Sequence, residues 1–261
     1  MGIPQPGKMD VTLVAFYGDK PPQIAELIRG ATNQLSGLLG KKFVPYCLQQ
    51  VHSTIIGLEG HRAGKHIINE NYINLCNQTR PMDLKAALQI LKEKTLLPFD
   101  VTIGGFIDGG PYSFTSRNVV PYLRSFSIQG QDAVAMGWPY SNGIYLNSIN
   151  QLRRAFNVAN ILHKYHSAPD AEDNDFFFVL GNISKANIDP VQLLEAQGRL
   201  RAFFAAHEPV TVTISRNCLR VVGYVDEKLA PETSYSCTLD EAEKNIEQIR
   251  SLYRDAFTEE K

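Results

Sequence analysis

The chain has 261 residues, 44% of them hydrophobic and 20% charged, and a formal net charge of −1. This globular balance carries ample core material and excludes disorder, collagen and coiled coil. It also argues against a protein that coats duplex nucleic acid, which needs a broad basic face. No apolar run reaches the roughly 20 residues that span a bilayer, so no membrane partner is expected.

The first ten residues, MGIPQPGKMD, are polar and Pro-rich and do not read as a secretory signal. Pro6 stands where a myristoylation site needs Ser or Thr. Cys47, Cys76, Cys218 and Cys237 lie far apart with no CxxC pair, which predicts reduced thiols in a cytoplasmic protein.

In chain order, residues 10–17 (DVTLVAFY) read as a strand, and 22–39 as a helix entered at a proline. Residues 51–58 (VHSTIIGL) read as a strand, and the polar stretch 59–82 as an inserted loop. A helix over 83–94 opens on a capping acid, Asp83. Strands follow at 99–106, 125–129 and 133–138, then a helix over 148–165. The second half reads as a strand at 175–180, a helix at 190–207, strands at 210–215, 219–225 and 234–239, and a closing helix over 240–257.

Residues 51–165 and 175–257 thus each read strand, helix, three strands, helix. FDVTIGGF resembles EPVTVTIS, and AVAMGWPY resembles RVVGYVDE. The expected fold class is α+β, a single bilobal domain with lobe 1 over about 10–147 and lobe 2 over about 148–257. Two such lobes face one another across a central cleft, the usual place for a ligand.

The tetrapeptide His52-Ser53-Thr54-Ile55 carries the clearest chemistry. Strand alternation puts His52 and Thr54 on one face and Ser53 on the other. An imidazole that moves a proton near neutral pH, beside a hydroxyl that donates to an oxyanion, suits a phosphate. A lone HxT also arises by chance, and most strand histidines are simply hydrogen-bonded.

With HxT followed by apolar residues in the first half of a duplicated α+β chain, the sequence resembles the 2H phosphoesterase superfamily, the LigT-like 2′,3′-cyclic phosphodiesterases. That resemblance covers most of the chain in element order and is specific in motif only over 51–58. It implies two H-x-[ST] motifs facing across a cleft, one histidine as base and one as acid, with hydroxyls holding the phosphate. It implies that His52 is catalytic, that Thr54 is a phosphate ligand, and that no metal or other cofactor is needed. The implied substrate is a 2′,3′-cyclic phosphate of a small nucleotide or an RNA end.

The second motif departs from that pattern. Aligning VHSTIIGLEG with DFFFVLGNIS puts Phe176 opposite His52 and Phe178 opposite Thr54. Neither ring transfers a proton; packed core is the simpler reading, and a stacking platform for a base is the functional one. Loss of one positioned acid or base typically costs about 10²–10⁴ in rate. His163 and His166, three apart at the expected end of a helix, are the candidate substitutes. With Asp170, Glu172, Asp173 and Asp175 they could instead hold a metal, or simply cap a helix before a solvated acidic loop. Tyr46, Lys42, Arg117 and Arg124 are further candidates to line the cleft. Three readings follow: a metal-free phosphoesterase, a non-catalytic nucleotide- or phosphate-binding protein on the same fold, and a metal hydrolase built on His163 and His166.

Overall fold

The computed structural model describes residue 7 and residues 9–184 and 188–256. β1 (Asp10–Ala15) is buried on both faces and ends where Phe16 takes a φ of 61°. The chain then reverses into α1 (Pro22–Leu39), where Ile24, Leu27, Ile28 and Leu35 form a buried stripe at helical spacing and Leu38, on the same spacing, is half-buried. β2 (Phe43–Pro45) and β3 (Ser53–Gly57) follow.

The stretch over 59–82 is not a plain loop. It folds as a hairpin, β4 (Gly60–Ala63) and β5 (His66–Asn69), followed by α2 (Glu70–Cys76). Asn69 caps that helix by accepting from the Tyr72 N–H, and Asn77 ends it in the left-handed region at φ 51°. α3 (Leu84–Ile90) starts as expected, with the Asp83 carboxylate accepting from the Lys85 and Ala86 N–H groups, but stops short of Lys94.

β6 (Phe99–Ile103), α4 (Pro121–Arg124), β7 (Phe126–Gln129) and β8 (Asp132–Trp138) come next. A small hairpin, β9 (Tyr140–Ser141) and β10 (Ile144–Tyr145), turns on Asn142 and Gly143 at φ 52° and 81°. Asn-Gly is the pair that such a turn favours. The helix expected over 148–165 is α5 (Ser148–Ala155), extended by a 3₁₀ turn to Ala159 and halted by Asn160 at φ 56°. His163 and His166 therefore sit in irregular chain, not at a helix end.

The last elements are β11 (Phe176–Ile183), α6 (Pro190–Ala206), β12 (Val210–Ile214), β13 (Leu219–Tyr224), β14 (Tyr235–Thr238), α7 (Leu239–Lys244) and α8 (Ile246–Leu252). The closing helix is broken at Asn245, whose φ of −127° and ψ of 47° lie outside the helical region. Its expected end, Phe257, lies outside the described residues.

This is a mixed α/β fold built on antiparallel sheets. One sheet has the order β14-β13-β1-β3, with Leu13 opposite Val221 and Val14 opposite Thr54. The other runs β12-β6-β8-β11-β2, and β7 also pairs with β8. Each sheet draws strands from both sides of residue 147, so the sheets do not divide the chain into lobes over 10–147 and 148–257. The cause is non-local pairing. β1 hydrogen-bonds to β13, and the look-alike strands β6 and β12 are adjacent in one sheet, Val101 opposite Val212.

One core joins both sheets through Leu13, Val51, Ile55, Phe176, Phe178 and Leu200. A separate aromatic cluster of Phe106, Phe114 and Trp138 covers another part of the second sheet, with Phe177 and Val179 packed at its border. Among the described residues no helix is long and apolar enough to cross a membrane.

Candidate active site

A cleft of about 780 Å³ opens between the two sheets. On the first sheet it is lined by His52, Thr54, Thr12 and Tyr224. The alternation expected for HST holds: Ser53 is fully buried while His52 and Thr54 reach the cleft, although His52 precedes the first residue of β3.

The imidazole is fixed. His52 Nδ1 lies 2.7 Å from the Gln50 carbonyl, which can only accept, so Nδ1 carries the proton and Nε2 holds the lone pair. The Tyr17 ring stands edge-on to it at 6.0 Å. Burial pushes His52 down to about 4, against the pull of the Gln50 carbonyl and with the help of the Lys20 charge. Lys20 donates to the Phe16 and Gly18 carbonyls at 2.8 and 3.0 Å. The strained turn at Phe16 thus holds an ammonium group near the histidine. Gln50 also donates to the Lys228 carbonyl at 2.6 Å, tying the loop over 225–229 to the same site.

The opposite wall comes from the second sheet and corrects the register of the Phe run. Phe176 and Phe178 are 0% and 2% exposed and pack edge-on to each other in the core. Phe177 and Val179, one residue further along, line the cleft. The apolar pair that faces the His52 half-site is therefore Phe177 and Val179. Tyr46 lines this wall as well, as anticipated, and donates to Asn182 Oδ1 at 3.0 Å; Asn182 Nδ2 donates to Asp132 Oδ1 at 2.7 Å.

His163 reaches the same cleft and His166 is not among its lining. His163 Nε2 is 2.7 Å from Asp173 Oδ2, so the carboxylate holds the proton on Nε2 and leaves Nδ1 as the basic nitrogen. Burial lowers His163 to about 4, outweighing the Asp173 hydrogen bond. Burial alone would raise Asp173, but the His163 hydrogen bond and the Arg153 and Arg117 charges hold it near 2. His166 instead bonds Asn150 Oδ1 at 2.9 Å through Nε2, and its Nδ1 is buried without a partner among the described residues.

Behind the site lies Arg153, which sequence reasoning missed. Its side chain is fully buried, and it donates to the Ile55 carbonyl at 2.8 Å, the Thr54 carbonyl at 3.0 Å and the Asp173 carbonyl at 3.0 Å. Its Nη1 also lies 3.2 Å from Asp173 Oδ2. One guanidinium thus fixes both the strand that carries Thr54 and the acid that orients His163.

Arg117 and Arg124, expected to line the cleft, are not among its lining and instead meet the acids behind it, Arg117 at 3.8 Å from Asp173 and 3.6 Å from Asp175. Arg124 meets Asp175 at 2.9 Å, and Asp175 also accepts from Ser116 and from Trp138 Nε1. Arg117 stacks over Tyr165 at 4.1 Å. Lys42 stands in a 3₁₀ turn and is not among the cleft lining. Asp170 is exposed and Glu172 accepts from Asn147. Among the described residues no three His, Cys, Asp or Glu side chains are grouped to hold a metal ion.

The charge of the cleft was also not anticipated. Glu59, Glu70, Asp132, Asp226 and Glu227 line it, against Lys164 and Lys228. Glu59 accepts from the Tyr224 hydroxyl at 2.8 Å, and burial raises its carboxyl. The VDEK run after a strand was the available signal.

The chain matches no protein-family model and no curated protein. Among solved structures it is similar to TT0787 of Thermus thermophilus, with 12% identity over 88% of this chain and 95% of that one, at a TM-score of 0.42. It is also similar to ATU0111, a conserved protein of unknown function from Agrobacterium tumefaciens str. C58. There the identity is 15% over 82% of each chain, at a TM-score of 0.40.

Proposed function

We propose that the cleft is a metal-free phosphoesterase site of the 2H type, on a LigT-like arrangement of two sheets around a cleft, acting on a 2′,3′-cyclic phosphate. The observation that carries this reading is the shared placement of His52, Thr54 and His163, with both rings held in defined tautomers. His52 Nε2 takes the proton of a water whose oxygen bonds to phosphorus. The bond from phosphorus to one ribose oxygen breaks, and that oxygen takes a proton from His163. Bound phosphate favours the protonated ring that His163 needs for this step. Thr54 donates to a phosphate oxygen. The cleft's carboxylates disfavour a long polyanion, so a small nucleotide fits better than an extended RNA.

The test is hydrolysis of 2′,3′-cyclic nucleotides followed by phosphorus NMR, with and without EDTA, beside His52→Ala. Turnover that resists EDTA and is lost in the variant supports the reading; turnover abolished by EDTA overturns it. A second reading, ligand binding without catalysis, is favoured by Phe177 and Val179 where a second acid or base is expected. Binding with no turnover decides for it.

A further inference from the structure

Glu59 is a partly buried acid of the cleft to which phosphate chemistry gives no task. Its carboxylate is held in one place. Oε1 accepts from the Tyr224 hydroxyl at 2.8 Å. Oε2 and Cδ stand where a side chain at position 57 would begin, in room left by the bare Cα of Gly57. Gly57 itself lines the cleft, so Oε2 lies on the cleft face of β3. Among the described residues the carboxylate has no ion pair.

The same strand sets the distance from this oxygen to the phosphate half-site. Val14 pairs with Thr54 and Leu13 with Ile56, so β3 carries one extra residue, Ile55, at a bulge. In a regular pleat Thr54 and Gly57, three apart, would face opposite sides. The bulge turns both to the cleft, while Ile55 and Ile56 are fully buried behind it. No side chain of the strand therefore stands between Thr54 and the Glu59 carboxylate. Arg153 holds the bulge from the core side through the Thr54 and Ile55 carbonyls at 3.0 and 2.8 Å. Three residues span roughly 10 Å, which matches a nucleoside measured from its ribose diol to the far edge of its base.

We propose that Glu59 reads the base: with the phosphate at His52 and Thr54, Oε2 accepts from the exocyclic amino group of cytosine or adenine and turns uracil away. A carboxylate only accepts, and the cytosine amino group is a usual donor to it. Uracil puts a carbonyl oxygen where cytosine has that amino group, so two oxygens meet and neither is paired. The inference rests on the phosphoester reading for the place of the phosphate, and it adds the identity of the base.

The test measures binding to His52→Ala, so that no ligand is consumed, by titration calorimetry. Cytidine and uridine 2′,3′-cyclic phosphates, which share size, ribose and phosphate, are compared, with plain cytidine and plain uridine beside them. The cytidine cyclic phosphate is expected to bind about ten-fold more tightly than the uridine one. Glu59→Gln in that background keeps the shape and the Tyr224 bond and is expected to abolish the preference. Glu70→Gln, which removes another acid of the same cleft, is expected to leave it unchanged. Thermal unfolding of each variant confirms that it is folded. The ratio of kcat/KM for the two cyclic phosphates in the unmodified protein is a second measurement of the same preference.

Equal binding of the two cyclic phosphates, with hydrolysis by the unmodified protein intact, overturns the base reading and leaves the phosphoester reading standing. A preference for plain cytidine over plain uridine that is lost in Glu59→Gln, with no hydrolysis of either cyclic phosphate, does the reverse. A uridine preference, a cytidine preference that survives Glu59→Gln, or one that Glu70→Gln removes equally also overturns the base reading, as does no binding of any ligand.

Discussion

Acidification should destabilise this fold, because burial holds three histidines neutral, His52 among them. His163 and His166 are 3% and 6% exposed, and burial lowers each to about 4. Asp173 opposes the shift at both rings, whereas Arg153 adds to it at both and Arg154 at His166. In the unfolded chain both rings take up protons near about 6.5. The folded state resists them, so the full stability is present above that value and is lost as pH falls toward about 4. Each ring accounts for about 3 kcal/mol over the whole window, and roughly 2 kcal/mol of it is gone by about pH 5. Against a total stability of about 5–15 kcal/mol, the pair is a large fraction. Glu59 works in the opposite sense, since burial raises its carboxyl. Urea unfolding at about pH 7, 6 and 5 measures the slope. His166→Gln, which keeps a donor for Asn150, should remove about a third of it, since His52 is lowered to about 4 as well. A flat stability profile between about pH 7 and 5, or a slope unchanged in the variant, refutes the argument.

Three further outcomes are expected. Arg153→Met, which strips the Thr54 and Ile55 carbonyls of their donor and leaves Asp173 short of a cation, should cost about 3–5 kcal/mol in urea unfolding. A loss below about 1 kcal/mol means that the guanidinium does not hold the site strand. For cyclic phosphate hydrolysis, kcat/KM should rise as pH falls from about 7 to about 5, since the acid His163 and the base His52 are both lowered to about 4. An acid limb centred near about 6.5 would show an unperturbed histidine instead. Gly60→Ala would place a Cβ 2.2 Å from the Ile68 carbonyl oxygen across the β4–β5 ladder. It should lower thermal stability by about 1–3 kcal/mol, and a neutral result would show that the hairpin yields easily.

What could be read from the sequence was local, and what could not be read was set by partners far along the chain. Strand alternation placed His52 and Thr54 on one face because Ser53 between them is small and the pattern is fixed by the pleat. The same rule failed at Phe176-Phe177-Phe178, where three identical rings carry no alternation. A strand apolar on both faces gives no sign of which face meets the core. Only the pairing of Phe176 with Gly137 and Phe177 with Met136 in β8 decides it, and it moves the cleft residues by one position. Arg153 was hidden for a related reason. On the sequence it is one of two adjacent arginines on an amphipathic helix, and a solvated face is the ordinary reading. Its burial follows from β3 and Asp173 arriving from either side with unsatisfied carbonyls and a carboxylate. The near-neutral net charge concealed the cleft in the same way. Acids from 59–70, 132 and 226–227 converge there, while arginines 117, 124 and 153 are spent on Asp173 and Asp175. A balanced chain thus builds an acid-lined cleft, and within it a phosphate must rely on His52, Thr54 and two lysines. That scarcity of cations is the physical reason to look for binding energy in the base rather than in the phosphate.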